Sequence, residues 1–202
     1  QQMRVGLLFN MKKILITGSL GLVGSEAVDF FKGKNWEVFE IDNNSRAKFF
    51  NTETQPIIND IDITDEKTIN TIFETFKPDV ILHAASQPSH NYSKDYPLED
   101  FKTNALGTLI LLEATRKYCP EAVFIFCSTD KVYGGNMKRK TNEREKRFEA
   151  KKAFDENLSI DYSIHSPFGC SKAAADLYVQ EYGYYFGMKT VCFRLGCITG
   201  RR

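Results

Sequence analysis

Short apolar runs alternate with longer amphipathic stretches along most of the chain. Ile14-Leu15-Ile16 reads as a buried parallel strand, and Ser25 to Lys32 continues with helical spacing. Trp36 to Ile41 alternates apolar and polar positions like a strand and ends at Asp42. Ile57 to Ile61 fits a third strand, and a helix over Glu66 to Phe76 follows, with Thr64 or Asp65 placed to cap it. Pro78 to Gln87 is a fourth strand that runs into small residues. From Phe101 to Tyr118 the rhythm is helical, with Leu106, Ile110, Leu111, Ala114 and Thr115 on one face. Ala122 to Cys127 is the most apolar strand, and Thr190 to Leu195 is a sixth. Between them His165 to Lys172 opens a helix over Ala173 to Phe186, with Leu177, Val179 and Tyr182 inward. Strands alternating with helices imply an α/β fold with a doubly wound parallel sheet.

The first strand is interrupted by Thr17-Gly18-Ser19-Leu20-Gly21-Leu22-Val23-Gly24, with a helix directly after it. Gly18 permits a tight turn, Gly21 lets a pyrophosphate approach the backbone, and Gly24 allows close helix–strand packing. The helix N-terminus turns unsatisfied N–H groups toward the anion. The G-x-x-G-x-x-G spacing, between strand and helix, marks a dinucleotide site in a Rossmann-like fold. Asp42 follows Gly18 at close to the roughly 20-residue offset at which an acid accepts the adenosine ribose hydroxyls. Such a carboxylate repels a 2′-phosphate and favours NAD, although Arg46 is placed to meet that phosphate.

At 202 residues the chain is long enough for one sizeable domain and short for two. Residues 1–10 read as an N-terminal extension before Met11, or as an added edge strand, and residues 11–202 as the dinucleotide-binding domain. A net charge of +1 argues for no nucleic-acid partner, and no apolar run approaches the roughly 18 residues of a membrane span. Cys119, Cys127, Cys170, Cys192 and Cys197 show no metal-ligand spacing. Cys127 and Cys192 read as buried small hydrophobes, and the odd count fits a reducing cytoplasm. The basic stretch Met137 to Lys152 reads as a solvated loop or insertion.

Polar residues at strand ends supply the remaining candidates. Asp62 and Ile63 lie where a loop could contact an adenine edge, and Ala84-Ala85-Ser86 would let a flat ligand lie close to the backbone. His83 reads as a partly buried strand-end residue, and Ser89-His90-Asn91-Tyr92 as a polar loop that either lines a substrate cleft or is simply solvated. Asn104 suits a buried brace for neighbouring backbone. Ser128-Thr129-Asp130 stands at the carboxyl end of a central strand, where ligands bind in such sheets.

In this order TGSLGLVG, Asp42, Asp62-Ile63, HAASQPSH, Asn104-x-x-Gly107-Thr108, STDKVYG and SPFGCSK resemble the extended short-chain dehydrogenase/reductases. That family comprises NAD-dependent nucleotide-sugar epimerases and dehydratases. The combination of STDKVYG with the stretch from Ile160 to Arg194 is most similar to the CDP-paratose 2-epimerase branch. The resemblance implies an NAD cofactor held by Gly18, Leu20, Gly21, Leu22, Val23, Gly24, Asp42 and Asn43 on the adenosine and pyrophosphate side. Asp62, Ile63, Ala84, Ala85, Ser86, Asn104, Ser128, Phe168 and Lys172 complete that expected set. It also implies catalytic roles for Thr129, which would hydrogen-bond the reacting oxygen, and Lys172, which would hold the nicotinamide ribose. The implied activity is 2-epimerisation of a CDP-dideoxysugar through a transient keto sugar. Alternatives are a 4-epimerase or a 4,6-dehydratase acting on another nucleotide sugar.

The sequence departs from the family at Phe168, which stands where the family has its proton-carrying Tyr, one helical turn before Lys172. Phenylalanine keeps the ring and loses the phenol. Asp130 or a substrate-loop residue could take the proton, or it could pass through Thr129 and water. Alternatively the protein binds NAD and a nucleotide sugar without efficient turnover. Family members continue past the sixth strand into a substrate domain that is largely missing here, and a full-length form could be a homo-oligomer.

Overall fold

The computed structural model describes residues 11–45, 60–139, 141–150, 154–160 and 163–200. Among the described residues, five strands form one parallel sheet in the order β2-β1-β3-β4-β7: β1 (Lys13–Thr17), β2 (Glu37–Ile41), β3 (Val80–His83), β4 (Val123–Thr129) and β7 (Lys189–Leu195). The chain leaves β1 through α1 (Leu22–Gly33) to reach β2 on one side. It then returns past β1 through α2 (Glu66–Phe76) to β3 on the other side. This reversal puts a topological switch point between β1 and β3, where doubly wound sheets bind ligands beyond the strand ends. The expected third strand lies mostly outside the described residues. Its last part survives as a parallel bridge between Asp60 and Asp42, with Ile61 N–H donating to the Asp42 carbonyl at 2.9 Å.

The two faces are covered unequally. Leu15, Ile81, Phe124 and Phe126 pack with Phe73 of α2, with Leu111 and Leu112 of α5 (Gly107–Tyr118), and with Val179 of α7 (Pro167–Phe186). Ile14 and Ile16 pack against Val28 of α1 on the opposite face. Each fully buried large apolar side chain contributes about 1.5–3 kcal/mol. The strand β4 alternates half-buried and buried positions, its Val, Ile, Phe and Thr suiting a pleated surface packed on both sides.

Local signals set the helix limits. Asp65 caps α2 by accepting the Thr68 N–H, and left-handed Lys77 (φ 51°) ends it before Pro78. Ser166 caps α7 and Pro167 opens it, so Phe168 and Lys172 lie inside the helix rather than ahead of it. Ser89 caps a short helix, α3 (His90–Asp95), where a polar loop was expected. Next come α4 (Pro97–Phe101), a π-helical turn (Lys102–Leu106) and α5 as one continuous run. The wide turn shifts the helical phase, which turns Leu106 outward (40% exposed) and Asn104 and Thr108 inward.

Other sequence expectations are corrected as well. Leu177 is 47% exposed, whereas Val179 and Tyr182 point inward as expected. Cys127 and Cys192 are half-buried rather than buried, while Cys119 is buried. The basic stretch contains a helical turn, α6 (Asn136–Arg139), and an antiparallel hairpin of β5 (Thr141–Glu143) and β6 (Phe148–Ala150). Arg144 and Arg147 both pair with Glu149 there. Residues 1–10, Arg46, Lys151, Lys152, Arg201 and Arg202 lie outside the described residues.

Candidate functional site

Because every strand of the main sheet is parallel, the loops after β1, β3 and β4 emerge along one edge. At the switch point Gly18 takes φ +67°, and a Cβ there would stand 2.6 Å from the Ala85 nitrogen. Only glycine accommodates both the torsion and the contact. A Cβ on Gly24 would come within 2.0 Å of the Gly18 carbonyl, so the loop folds directly onto the first turn of α1. That turn has no side-chain cap at Gly21 and no acidic residue. The buried hydroxyls of Ser19 and Ser25 have no hydrogen-bond partner among the described residues. An uncapped helix start beside unpartnered donors suits a diphosphate.

Asp42, at the end of β2, stands against the glycine loop. Its Oδ2 accepts the Leu20 N–H at 3.0 Å and its Oδ1 the Asn44 N–H at 2.9 Å, so the acid is fastened to the glycine loop. Asn43 donates to Asp62 at 3.2 Å, bringing two more of the expected residues together. Burial would raise the Asp62 pKa, but hydrogen bonds from Thr64 and Asn43 leave it below the usual carboxylate value. Ile63 is buried under Gly107.

A line of buried polar groups joins the strand ends to the helices. Thr108 donates to the Asn104 carbonyl at 2.6 Å, so its oxygen is left to accept from His83 Nε2 at 2.9 Å. This assigns the Nε2–H tautomer, and His83 Nδ1 accepts from Thr17 Oγ at 2.7 Å. Thr17 in turn accepts the Ala85 N–H at 3.2 Å. Sequence reasoning expected His83 to be partly buried. It is 1% exposed, and that burial, with Lys172 nearby, pushes its pKa down to about 3 and keeps the ring neutral.

Asn104 is the expected brace. Its Oδ1 accepts the Gln87 N–H at 2.8 Å and its Nδ2 donates to the Gln87 carbonyl at 3.1 Å. Ser171 of α7 joins the same cluster and donates to buried Asp100 at 2.5 Å. The extended segment Ala84 to Gln87 is thereby anchored to α4, the π turn and α7.

On the opposite wall, Lys172 is 3% exposed, with Nζ donating to the Cys127 carbonyl at 2.9 Å and lying 4.1 Å from the Phe126 ring centroid. Burial brings its pKa down to about 8. One turn earlier, the buried Phe168 ring meets the His90 imidazole edge to face, with centroids 4.8 Å apart. Thr129, half-buried at the end of β4, donates to Asp130 at 3.2 Å and accepts the Lys131 N–H at 3.2 Å. The Ser128 hydroxyl turns away from the strand end and donates to Asp176 at 2.5 Å.

That last contact belongs to a cluster that sequence reasoning missed. Asp176 is 1% exposed and is held by Arg194 through two bonds, at 2.8 and 3.1 Å, and by Gln180 at 2.6 Å. Arg194 also donates to the Tyr133 hydroxyl at 3.0 Å, which ties β7 to the segment after Thr129. One signal was available: Asp176 follows Lys172 at the i,i+4 spacing that separates Phe168 from Lys172. Asp100, Gln87 and Ser171 carried no comparable signal.

The sequence profile described as "Epimerase: NAD dependent epimerase/dehydratase family" matches residues 14–202. A CDP-paratose 2-epimerase of Salmonella typhi is 35% identical over 94% of this chain and 58% of its own length. A dTDP-glucose 4,6-dehydratase of Escherichia coli is 31% identical over 89% of this chain and 52% of its own. Among solved structures, a UDP-glucose 4-epimerase of Thermotoga maritima with UDP-glucose superposes with a TM-score of 0.72 at 32% identity. It is covered over 54% of its length, and 90% of this chain takes part. A Thermus thermophilus UDP-glucose 4-epimerase in complex with NAD gives a TM-score of 0.71 at 30% identity, with the same two coverages. The chain thus spans about half the length of the relatives it matches. No helix among the described residues is long and apolar enough to cross a membrane.

Proposed function

The chain belongs to the NAD dependent epimerase/dehydratase family, whose cofactor is NAD. From that premise we propose that it carries out an NAD-dependent epimerisation of a nucleotide sugar, at carbon 2 of a CDP-linked dideoxysugar. The observation that carries this reading is the placement of Lys172, buried one turn from Phe168 on α7, across the sheet edge from the uncapped start of α1. When bound, NAD would accept a hydride from the sugar and return it to the other face. Within the site, the Gly18–Gly24 loop and α1 would hold the pyrophosphate, and Asp42 with Asn43 the adenosine ribose. Ala84, Ala85 and Ser86 would line the cleft, with Asn104 keeping that segment in place. Lys172 would hold the nicotinamide ribose, beside the Phe168 ring. Thr129 would donate a hydrogen bond to the reacting oxygen. The Ser128 side chain is engaged by Asp176, so its contribution to the cofactor would come from backbone. Support for carbon 2 and CDP comes from the Salmonella typhi relative.

Phe168 favours a second reading, a protein that binds NAD and a nucleotide sugar with little turnover. Residues 11–202 form the NAD-binding unit under either reading. The cysteines are free thiols, in accord with a reducing compartment such as the cytoplasm. An epimerisation assay with CDP-, UDP- and dTDP-linked sugars, with bound NAD quantified in the same sample, separates the possibilities. Turnover of a CDP-sugar supports the first, turnover of another nucleotide sugar moves the substrate assignment, and NAD without turnover supports the second.

A further inference from the structure

We infer that His90 exchanges the proton that the ring of Phe168 cannot carry, an inference that rests on the epimerase reading above. The imidazole is the aromatic partner of the Phe168 ring, at 4.8 Å with an interplanar angle of 63°, and it comes from the exposed first residue of α3. A titratable ring thus stands directly against the ring that lacks its hydroxyl.

The bonding of His90 suits that task. His90 Nδ1 lies 2.9 Å from Ser166 Oγ, which already accepts the Gly169 N–H at 3.1 Å as the cap of α7. The serine oxygen has a second lone pair, so it can accept from Nδ1–H. In that tautomer Nε2 keeps a bare lone pair, and it has no hydrogen bond among the described residues. One nitrogen fixed by a partner and the other open is the arrangement that a general base requires.

The other candidates are occupied. His83 is buried with both nitrogens bonded to threonine hydroxyls. His165 directs Nδ1 at the Ser163 carbonyl (3.0 Å) and Nε2 at the Val132 carbonyl (2.8 Å). Asp130 pairs with Lys131 at 3.1 Å.

In the forward step the O–H bond of the substrate alcohol breaks, and its proton goes to His90 Nε2. The C–H bond breaks with its electron pair, which leaves as hydride to the nicotinamide of NAD, and a C=O bond forms. In the return step the hydride adds to the other face of the carbonyl carbon, and the imidazolium gives the proton back to oxygen. No net oxidation results.

The tautomer is read first, by long-range proton–nitrogen NMR on histidine-labelled protein, with the His90 signal identified by its loss in His90→Gln. Protonated Nδ1 with bare Nε2 near neutral pH is expected; the opposite tautomer overturns the inference. His90→Gln should then lower epimerisation by roughly 100- to 10,000-fold. Its NAD affinity by calorimetry should stay within about twofold, since the ring is assigned to the substrate proton. Adding Phe168→Tyr to that variant should recover at least about tenfold by restoring a phenol. Turnover unchanged in His90→Gln overturns the inference alone. A wild-type protein without turnover on any nucleotide sugar overturns the epimerase reading, and this inference with it.

Discussion

The two sides of the candidate site are built on different principles. The wall at β1 and α1 is almost entirely backbone: a positive-φ glycine, a carbonyl under Gly24, and an acid fastened to the loop by N–H groups. The wall at β4, α7 and β7 is made of side chains brought together from distant segments, with Asp176, Arg194, Ser128 and Tyr133 locked around a buried ion pair. Backbone sites tolerate change in most side chains and fail on a single added methyl. Side-chain sites fail when one partner is removed.

The largest effect should come from Asp176→Ala, which strands Arg194 in a mostly buried place. Breaking such a pair costs about 3–5 kcal/mol. Urea unfolding should show that loss, and a change under about 1 kcal/mol would mean that the far wall does not depend on this pair. Gly24→Ala tests the near wall. Its methyl meets a carbonyl that has nowhere to go, for about 1–3 kcal/mol of overpacking. NAD affinity should fall at least about 100-fold by calorimetry, and retained affinity would remove the loop from the site.

Lys172→Met should separate stability from binding. Burial holds the Lys172 pKa at about 8 in the folded protein, against roughly 10.4 for an unfolded lysine. The folded state therefore bears the full cost of the charge below pH 8, and that cost fades as pH rises toward 10.4. Allowing for the lost Cys127 hydrogen bond, the variant should be more stable by about 2 kcal/mol at pH 7. The gain should shrink by pH 10 and NAD should bind more weakly, all readable from paired urea titrations and calorimetry. A constant gain across that range would contradict the buried charge. Asp42→Ala is the smallest change, with NAD weakened by about tenfold, or 1.4 kcal/mol, and the exclusion of NADP relaxed. Unchanged preference in a fluorescence titration would remove Asp42 from cofactor selection.

The same contrast explains what could be read ahead of the structure. The glycine turn, the place of Asp42 at the end of β2 and the Asp65 cap were legible because each depends on a few neighbouring residues. Asn104 could be identified as a brace because an Asn inside an apolar helical face needs partners. The outward turn of Leu106 was not legible, since it follows from a π turn that no spacing announces. Nor was the contact of His90 with Phe168, which depends on α3 being a helix and on how it lies against α7.

The hydrogen-bonded line from Ala85 through Thr17, His83 and Thr108 to Asn104 has a direction. Each hydroxyl owns a single hydrogen, so the choice made at Thr108 dictates the orientation of every group back to Thr17. A proton added at His83 Nδ1 meets the hydrogen of the Thr17 hydroxyl, which must then turn away and accept instead of donating. That rearrangement, at the strongly acid pH that a pKa of about 3 requires, would reorder the line that joins the strand ends to the helices.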